Sequence, residues 1–281
     1  MNEPLPGALY LVATPIGNLG DLSSRAAAIL SGVDFVAAED TRVTAKLLSH
    51  LGVSKPMMTY HRHNLTEAGE KLQKRLQSGE SCALVTDAGT PGISDPGEDA
   101  ARLCAENGIK VVSVPGACAA VSALSVSALP TKRFCFEGFL SSERSKRLAS
   151  LRALAGETRT IVFYEAPHRL AKTLSDMKEV FGGDRKISLC RELTKLNEEV
   201  IRTDLEEAAA RFEKEEPRGE FVLVVSGAPE AEDSWEDTDI PGHFEFYLSR
   251  GLSQSDAMKA VAKDRHVAKS EIYRALKIKE Q

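Results

Sequence analysis

Short apolar runs alternate with amphipathic stretches over roughly the first 128 residues. Between the runs, apolar residues recur at the three- and four-residue spacing of a helix. Strands are predicted near residues 8–12, 35–38, 57–60, 83–86 and 111–114, and helices near residues 22–30, 43–51, 66–76, 98–106 and 117–128. This order predicts an α/β domain over residues 1–128, with a mostly parallel sheet and helices on its faces.

The alternation resumes after Pro130 with different spacing. Strands are predicted near residues 134–138, 160–164, 186–190, 199–203 and 221–226, and helices near residues 142–154, 170–181 and 205–214. Because residue 200 follows residue 190 too closely for a helical crossover, this second sheet is predicted to be mixed. The second α/β domain is therefore placed at residues 129–228.

The composition and the predicted structure change near the end of the chain. Six of the ten residues from Glu230 to Asp239 are acidic, which predicts an acidic linker over residues 229–240. Residues 241–281 predict three short helices near 244–249, 253–263 and 269–277, with a capping box at Ser253 and Asp256. Their predicted core consists of Leu252, Ala257, Val261, Val267, Ile272, Tyr273 and Leu276. Such a unit is either a helix-turn-helix module or a docked helical cap.

Composition narrows the class of protein. No apolar run approaches the roughly 20 residues of a membrane span, and no signal peptide is evident. The five cysteines are dispersed without a CxxC pair, which predicts a reducing cytoplasm and no metal site. A net charge of −5 argues against coating nucleic acid by charge alone. Basic stretches in the 142–154 helix and in the last 40 residues nevertheless favour binding of a polyanion at a few specific positions on the protein.

Three turns rich in Gly, Pro and Ala follow predicted strands of the first domain. They are ATPIGNLGD at Ala13–Asp21, the turn within LVTDAGTPGISDPG at Leu84–Gly97, and PGACA at Pro115–Ala119. Turns of this kind bring backbone close to a ligand, and the carboxyl ends of neighbouring strands share one sheet edge. Because neither GxxxxGK[ST] nor GxGxxG occurs, we expect a ligand held by backbone and shape, without a diphosphate site.

Candidate polar chemistry lies at the same predicted edge. Glu39, Asp40 and Arg42 end the second strand, where Asp40 could also simply cap the next helix. Asp87 ends the fourth strand and Glu165 ends a strand of the second domain, so both are placed to face one cleft. Further candidates that could equally serve as caps or surface groups are Arg169, Arg191, His61 and His63.

Several motifs resemble those of one family. LYLVATPIGNLGDLSSRA, GTPGISDPG and VPGA resemble the tetrapyrrole methylase superfamily, with Thr90 where that pattern has an aspartate. Together with AEDTR, FYEAPHR and the C-terminal helices, they are similar to its branch of bacterial rRNA (cytidine-2′-O)-methyltransferases. The resemblance implies a homodimer with S-adenosylmethionine in a cleft between two α/β domains. The implied substrate is cytidine 1402 of 16S rRNA, within the small ribosomal subunit.

The resemblance also implies which residues contact the cofactor, but it implies no catalytic residue. The implied cofactor contacts are Pro15 or Ile16, Ala88, Gly89, Thr90, Ile93, Cys118, Ala119, Glu165 and Leu193. A ribose hydroxyl is a weak nucleophile, so we expect a carboxylate to accept its proton and a cation to steady the oxygen. The candidates are Asp40, Glu39 or Glu165 for the first role and Arg42, Arg191 or Lys195 for the second. Two alternatives remain, a nucleic-acid-binding regulator that senses a metabolite and a porphyrinoid C-methyltransferase.

Overall fold

The first sheet contains only parallel strands. A computed structural model of the protein describes residues 3–229, 235 and 238–277. The strands are β1 (Leu9–Val12), β2 (Phe35–Ala38), β3 (Met57–Thr59), β4 (Cys82–Val85) and β5 (Val111–Val114), in the order β3-β2-β4-β1-β5. Every residue of β2 and β4 is buried, which explains why these strands are continuous apolar runs.

Helices cover both faces of this sheet. They are α1 (Ser24–Gly32), α2 (Thr41–His50), α3 (Leu65–Gln77) and α4 (Gly97–Glu106). Apolar residues of α1 and α2 pack with one face of the sheet, whereas those of α3 and α4 pack with the other. The next helix, α5 (Ala119–Val126), instead packs against the second sheet through Ala120, Ala123 and Leu124. It thereby joins the two sheets into one body.

The second sheet is mixed, as predicted. Its strands are β6 (Phe134–Phe139), β7 (Thr160–Glu165), β8 (Lys186–Arg191), β9 (Glu199–Asp204) and β10 (Phe221–Val225), in the order β6-β7-β10-β8-β9. Only β6 and β7 are parallel, and the remaining pairs are antiparallel. The helices are α6 (Arg144–Ala153), α7 (Pro167–Phe181) and α8 (Leu205–Lys214). The predicted fold class is thus confirmed in both sheets.

A separate compact unit begins at Pro229. It contains α9 (Ile240–Ser249), α10 (Gln254–Asp264) and α11 (Lys269–Lys277). Ser253 caps α10 by accepting a hydrogen bond from the amide of Asp256, as the capping box predicts. The predicted core is wrong at Val267 and Tyr273, which are 36% and 50% exposed. Tyr273 follows the buried Ile272, and one residue turns a helix by about 100°, so its ring faces outward.

Most of the predicted acidic linker lies outside the described residues. The domain limits at residues 128, 228 and 240 stay predictions. Within the described ranges, none of the helices has both the length and the apolar character needed to cross a membrane.

Candidate functional site

A cavity of about 620 Å³ lies between the two sheets of the first unit. Its volume falls within the range of about 300–1,000 Å³ that is usual for small-molecule sites. All three predicted turns contribute to it, as do the ends of β7, β8 and β10. The lining residues are Ile16, Glu39, Thr86, Asp87, Ala88, Gly89, Thr90, Ile93, Ser94, Asp95, Cys118, Ala119, Phe139, Tyr164, Glu165, Ala166, Pro167, His168, Cys190, Leu193, Glu220, Phe221 and Val222.

Hydrogen bonds to main-chain groups tie the three turns together. The amide of Thr14 donates to the carbonyl of Gly89 at 2.9 Å, and the amide of Gly89 donates back to Thr14 at 3.1 Å. Gly89 has a φ of +88°, which glycine adopts without the strain that a side chain would add. The Thr90 hydroxyl donates to the carbonyl of Ala117 at 2.9 Å, linking the second turn to the third. The backbone wall of the cavity is therefore held in place by the protein itself, before any ligand binds.

Asp95 holds the outer part of the second turn. Its carboxylate accepts hydrogen bonds from the amides of Gly92, Ile93 and Gly97 at 2.9, 3.2 and 2.7 Å. Ser94 lies between these residues and has a left-handed φ of +70°. The hydrogen bonds to Asp95 restrict the backbone of Ser94 to this conformation. Ile93 is thus held at the cavity as an apolar wall.

Glu165 is buried beneath the wall that the second sheet provides. Its side chain is fully buried, and it accepts hydrogen bonds from the Thr173 hydroxyl at 2.5 Å and the Ala166 amide at 2.8 Å. The Arg169 guanidinium lies 3.4 Å from the same carboxylate. These contacts fix the first turn of α7, whose residues Pro167 and His168 line the cavity.

The loop after β8 carries Leu193 into the cavity. Glu192 and Thr194 on either side have positive φ values of 51° and 65°. The Lys195 ammonium pairs with Glu192 at 2.8 Å and with Glu220 at 2.9 Å, which fixes the loop. Gly17 packs against it so closely that a Cβ there would lie 2.4 Å from Lys195 Cγ. One side of the cavity is thus closed by direct packing between the two sheet regions.

The cavity combines apolar walls with carboxylates. Ile16, Ile93, Leu193 and Val222 offer apolar surface, whereas none of the Lys and Arg residues that the structure describes lines the cavity. Such a site suits a ligand with an apolar or flat portion and a positive charge, held largely by main-chain groups.

A family model described as tetrapyrrole (corrin/porphyrin) methylases matches residues 8–209. The chain belongs to this family. The matched residues include the first sheet, the three small-residue turns and strands β6 to β9 of the second sheet, and the match ends before β10. Membership confirms the predicted fold class and the predicted class of enzyme, a methyltransferase.

Similar chains make the relationship more specific. The protein is 46% identical to "Ribosomal RNA small subunit methyltransferase I" of Synechocystis sp., over 95% of this chain and 96% of that one. It is 45% identical to the Bacillus subtilis protein of the same name, over 98% and 95%. Among solved structures, a uroporphyrin-III C-methyltransferase from Thermus thermophilus complexed with S-adenosyl homocysteine has a TM-score of 0.55 at 19% identity. It covers 78% of this chain and 97% of its own, and at that identity it shows the fold alone.

Most of the residues predicted to contact the cofactor or to act in catalysis lie at the cavity. They are Ile16, Glu39, Ala88, Gly89, Thr90, Ile93, Cys118, Ala119, Glu165 and Leu193. Four others do not line it, namely Pro15, Asp40, Arg42 and Arg191, and neither does Lys195. The binding and catalytic roles of all of these residues stay predictions.

Asp40 and Arg42 are engaged with each other. The Asp40 carboxylate caps α2 by accepting from the amide of Arg42 at 2.8 Å, and it also pairs with the Arg42 guanidinium at 2.6 Å. The hydrogen bonds from Arg42 lower the pKa of Asp40 to about 2. The Arg191 side chain is likewise engaged by another residue and does not line the cavity, because its Nε donates to the carbonyl of Arg218 at 2.6 Å.

Sequence reasoning missed several lining residues of this methylase. His168 stands in the APHR segment directly after β7, where strand ends supply site residues, so this position was a usable signal. Phe139 gave no such signal. A bulge between Phe136 and Gly138 changes the strand's register, so that Phe136 and Phe139 both contact Tyr164, with ring centroids 5.0 and 5.4 Å away. A regular strand would place them on opposite faces.

Proposed function

We propose that this methylase transfers a methyl group from S-adenosylmethionine to the ribose 2′ oxygen of a cytidine in 16S rRNA. The observation that carries the proposal is the 45–46% identity to small-subunit rRNA methyltransferases over nearly the full length of both chains. The proposed target is the decoding-centre cytidine 1402. The proposed assembly is a homodimer that acts on the small ribosomal subunit.

The residues of the cavity fit S-adenosylmethionine. Its sulfonium and ammonium groups are cationic, and Glu39, Asp87 and Glu165 supply negative charge without a competing Lys or Arg in the lining. Its adenine is flat and largely apolar, which suits Ile16 and Leu193. The Gly89 turn leaves main-chain groups beside the ligand space, where they can bind its polar edges.

When bound, S-adenosylmethionine would supply an electrophilic methyl group for in-line transfer, with its sulfur as the leaving group. The protein's contribution to such a displacement is mainly to position the acceptor oxygen and to keep water out. The rigid turns that Asp95 and Glu165 hold serve this positioning. Phe139 is 55% exposed at the cavity, where its ring offers a stacking surface to a base turned out of an RNA strand.

The predicted catalytic groups divide by their position. Glu39 lines the cavity, and one of its oxygens accepts from Thr86 Oγ1 at 3.1 Å, so we propose that it faces the cofactor's cationic portion. Glu165 has both carboxylate oxygens engaged, so we propose a positioning role for it. Asp40, Arg42 and Arg191 lie outside the lining, where we propose that they shape the rim and contact RNA.

The function is tested by incubating the full chain with methyl-labelled S-adenosylmethionine and purified small ribosomal subunits, free 16S rRNA or uroporphyrinogen. We expect label in RNA, and nuclease digestion with mass mapping should yield one 2′-O-methylcytidine at position 1402. Label in the porphyrinoid alone, or cofactor binding without any transfer, would refute the proposal. The second result would instead favour the metabolite-sensing regulator.

The cofactor site is tested with two leucines of one loop. Leu193 is 8% exposed and lines the cavity, whereas Leu196 is 99% exposed and does not. Because Leu193→Ala removes apolar contact, calorimetry with S-adenosyl homocysteine should show roughly ten-fold weaker binding. The matched control Leu196→Ala should bind as the wild type does. Equal affinities in the two variants would contradict this location of the cofactor.

A further inference from the structure

A methyltransferase acting on a ribose hydroxyl requires a group that removes its proton. On the proposed function, one side chain at the cavity has that role. The cavity is lined by several titratable groups, which are Glu39, Asp87, Asp95, Cys118, Tyr164, Glu165, His168, Cys190 and Glu220. Their hydrogen bonds distinguish them.

Four of these groups are committed to other contacts. Asp95 accepts from three amides and Glu165 from the Thr173 hydroxyl and the Ala166 amide. Glu220 has an 80% exposed side chain and pairs with Lys195 at 2.9 Å. Tyr164 Oη accepts from the amide of Ala120 at 3.2 Å, and burial raises the pKa of Tyr164 to about 12. A phenol with this pKa keeps its proton at neutral pH.

Two carboxylates remain on the side of the first sheet. Glu39 and Asp87 follow β2 and β4, and each has one oxygen engaged, by Thr86 and by the amide of Asp40 respectively. Ordinary carboxyl groups have pKa values near 4, which makes them weak acceptors for an alcohol proton. Their charge is better matched to the cationic sulfonium and ammonium groups of the cofactor.

His168 differs from all of these groups in chemistry. It is exposed at the cavity, and neither ring nitrogen has a hydrogen-bond partner within the part of the chain that the structure describes. An imidazole is the side chain that most often serves as a general base near neutral pH. His168 lies in the first turn of α7.

The turn that carries His168 is also rigid. Glu165 anchors it from below through Thr173 and Ala166, and Pro167 fixes the backbone φ at the first helical position. The neighbouring Arg169 is engaged separately, since its guanidinium lies 3.4 Å from the Glu165 carboxylate. A proton acceptor held by a fixed helix turn can be placed against the substrate oxygen with little loss of entropy.

We propose that His168 is the general base of the methyl transfer. One imidazole nitrogen takes the proton of the ribose 2′ hydroxyl while that oxygen forms its bond to the methyl carbon. The carbon–sulfur bond breaks, its electron pair stays on sulfur, and S-adenosyl homocysteine is left as a neutral thioether. The imidazolium then gives its proton to bulk water, so atoms and charge balance over one turnover.

The test compares three variants in single-turnover methylation of the RNA substrate, from pH 5.5 to 9, at saturating cofactor. Wild-type protein should lose rate at acid pH with an apparent pKa of about 6–7. His168→Gln should be about a hundred-fold slower or more at pH 7.5, and the acid limb should vanish. His50→Gln, which changes an exposed histidine at the end of α2, should match the wild type. Glu39→Gln should bind S-adenosyl homocysteine more weakly but keep the acid limb.

Binding measurements separate catalysis from folding. His168→Gln should bind S-adenosyl homocysteine within about two-fold of wild type, because the imidazole is assigned to the proton and not to the cofactor. A His168→Gln protein that methylates within a few-fold of wild type, or that keeps the acid limb, would overturn the assignment. Loss of the limb in Glu39→Gln alone would transfer the role to that carboxylate. A wild-type chain that labels no RNA would instead refute the proposed function, and the role of His168 with it.

Discussion

Gly17 is a sensitive test of how the cavity is closed. It has a φ of +151°, a region that residues with side chains avoid, and an added Cβ would lie 2.4 Å from Lys195 Cγ. Gly17→Ala therefore has two costs, which are backbone strain of about 1–3 kcal/mol and displacement of Lys195. Moving Lys195 separates its ammonium from Glu192 and Glu220, at about 0.2–1 kcal/mol for each partly exposed pair.

A double-mutant cycle isolates the steric part of this cost. We expect the free energy of unfolding to fall by about 3 kcal/mol in Gly17→Ala and by about 1 kcal/mol in Lys195→Ala. The double variant should lose about 3 kcal/mol, not the sum of about 4. Its Lys195 Cγ is absent, so the added Cβ meets no clash, and the loss of the two ion pairs contributes a single time to the total. The strain at Gly17 remains in both backgrounds.

The assay is urea unfolding followed by far-ultraviolet circular dichroism. Fluorescence is unsuitable because the single tryptophan, Trp235, belongs to the C-terminal unit. Gly52→Ala serves as the control, since Gly52 has a φ of +67° and its Cβ would meet nothing within 4 Å. It should lose only about 1–2 kcal/mol, the cost of the left-handed backbone. Additive losses in the cycle would refute the proposed contact between Gly17 and Lys195.

Two further predictions concern ion pairs. Asp176→Asn should lower the free energy of unfolding by about 3–5 kcal/mol, because it leaves the 5%-exposed Arg147 side chain without its counter-charge at 2.7 Å. Arg144→Gln, which removes the 61%-exposed second partner, should cost less than about 1 kcal/mol, and equal losses would contradict the reasoning. NMR titration of Asp40 should give a pKa of about 2 in the wild type and a higher pKa in Arg42→Gln. An unchanged pKa in the variant would exclude Arg42 as the cause of the lowered pKa. Because this pKa is lowered on folding, the pair's contribution is complete above roughly pH 4 and is lost as the pH falls through about 2.

The positions of strands, helices and site turns followed from local patterns in the sequence. The 205–214 and 269–277 helices begin and end where their apolar periodicity predicts. The short link between β8 and β9 was enough to predict an antiparallel pair, because parallel strands require a longer crossover. The three small-residue turns converge on one cavity because parallel strands end at a common edge.

Side-chain direction was not determined by these local patterns. Asp40 stood at the correct strand end, yet its carboxylate binds the amide and guanidinium of Arg42, outside the cavity lining. Arg191 likewise turned to the carbonyl of Arg218. Each of these partners is chosen by distances in the folded chain, and a periodicity of hydrophobic residues carries no information about them.

The sequence by itself thus determined the order of elements, the two α/β sheets and the three turns that form the cavity's backbone wall. Tertiary structure alone decided that α5 packs on the second sheet, that a bulge brings Phe139 to Tyr164, and that Gly17 meets Lys195. The physical reason is the distance along the sequence between the residues that interact. Strand and helix formation depend on neighbours a few residues away, whereas the cavity depends on register, packing and hydrogen bonds between segments that lie far apart in the sequence.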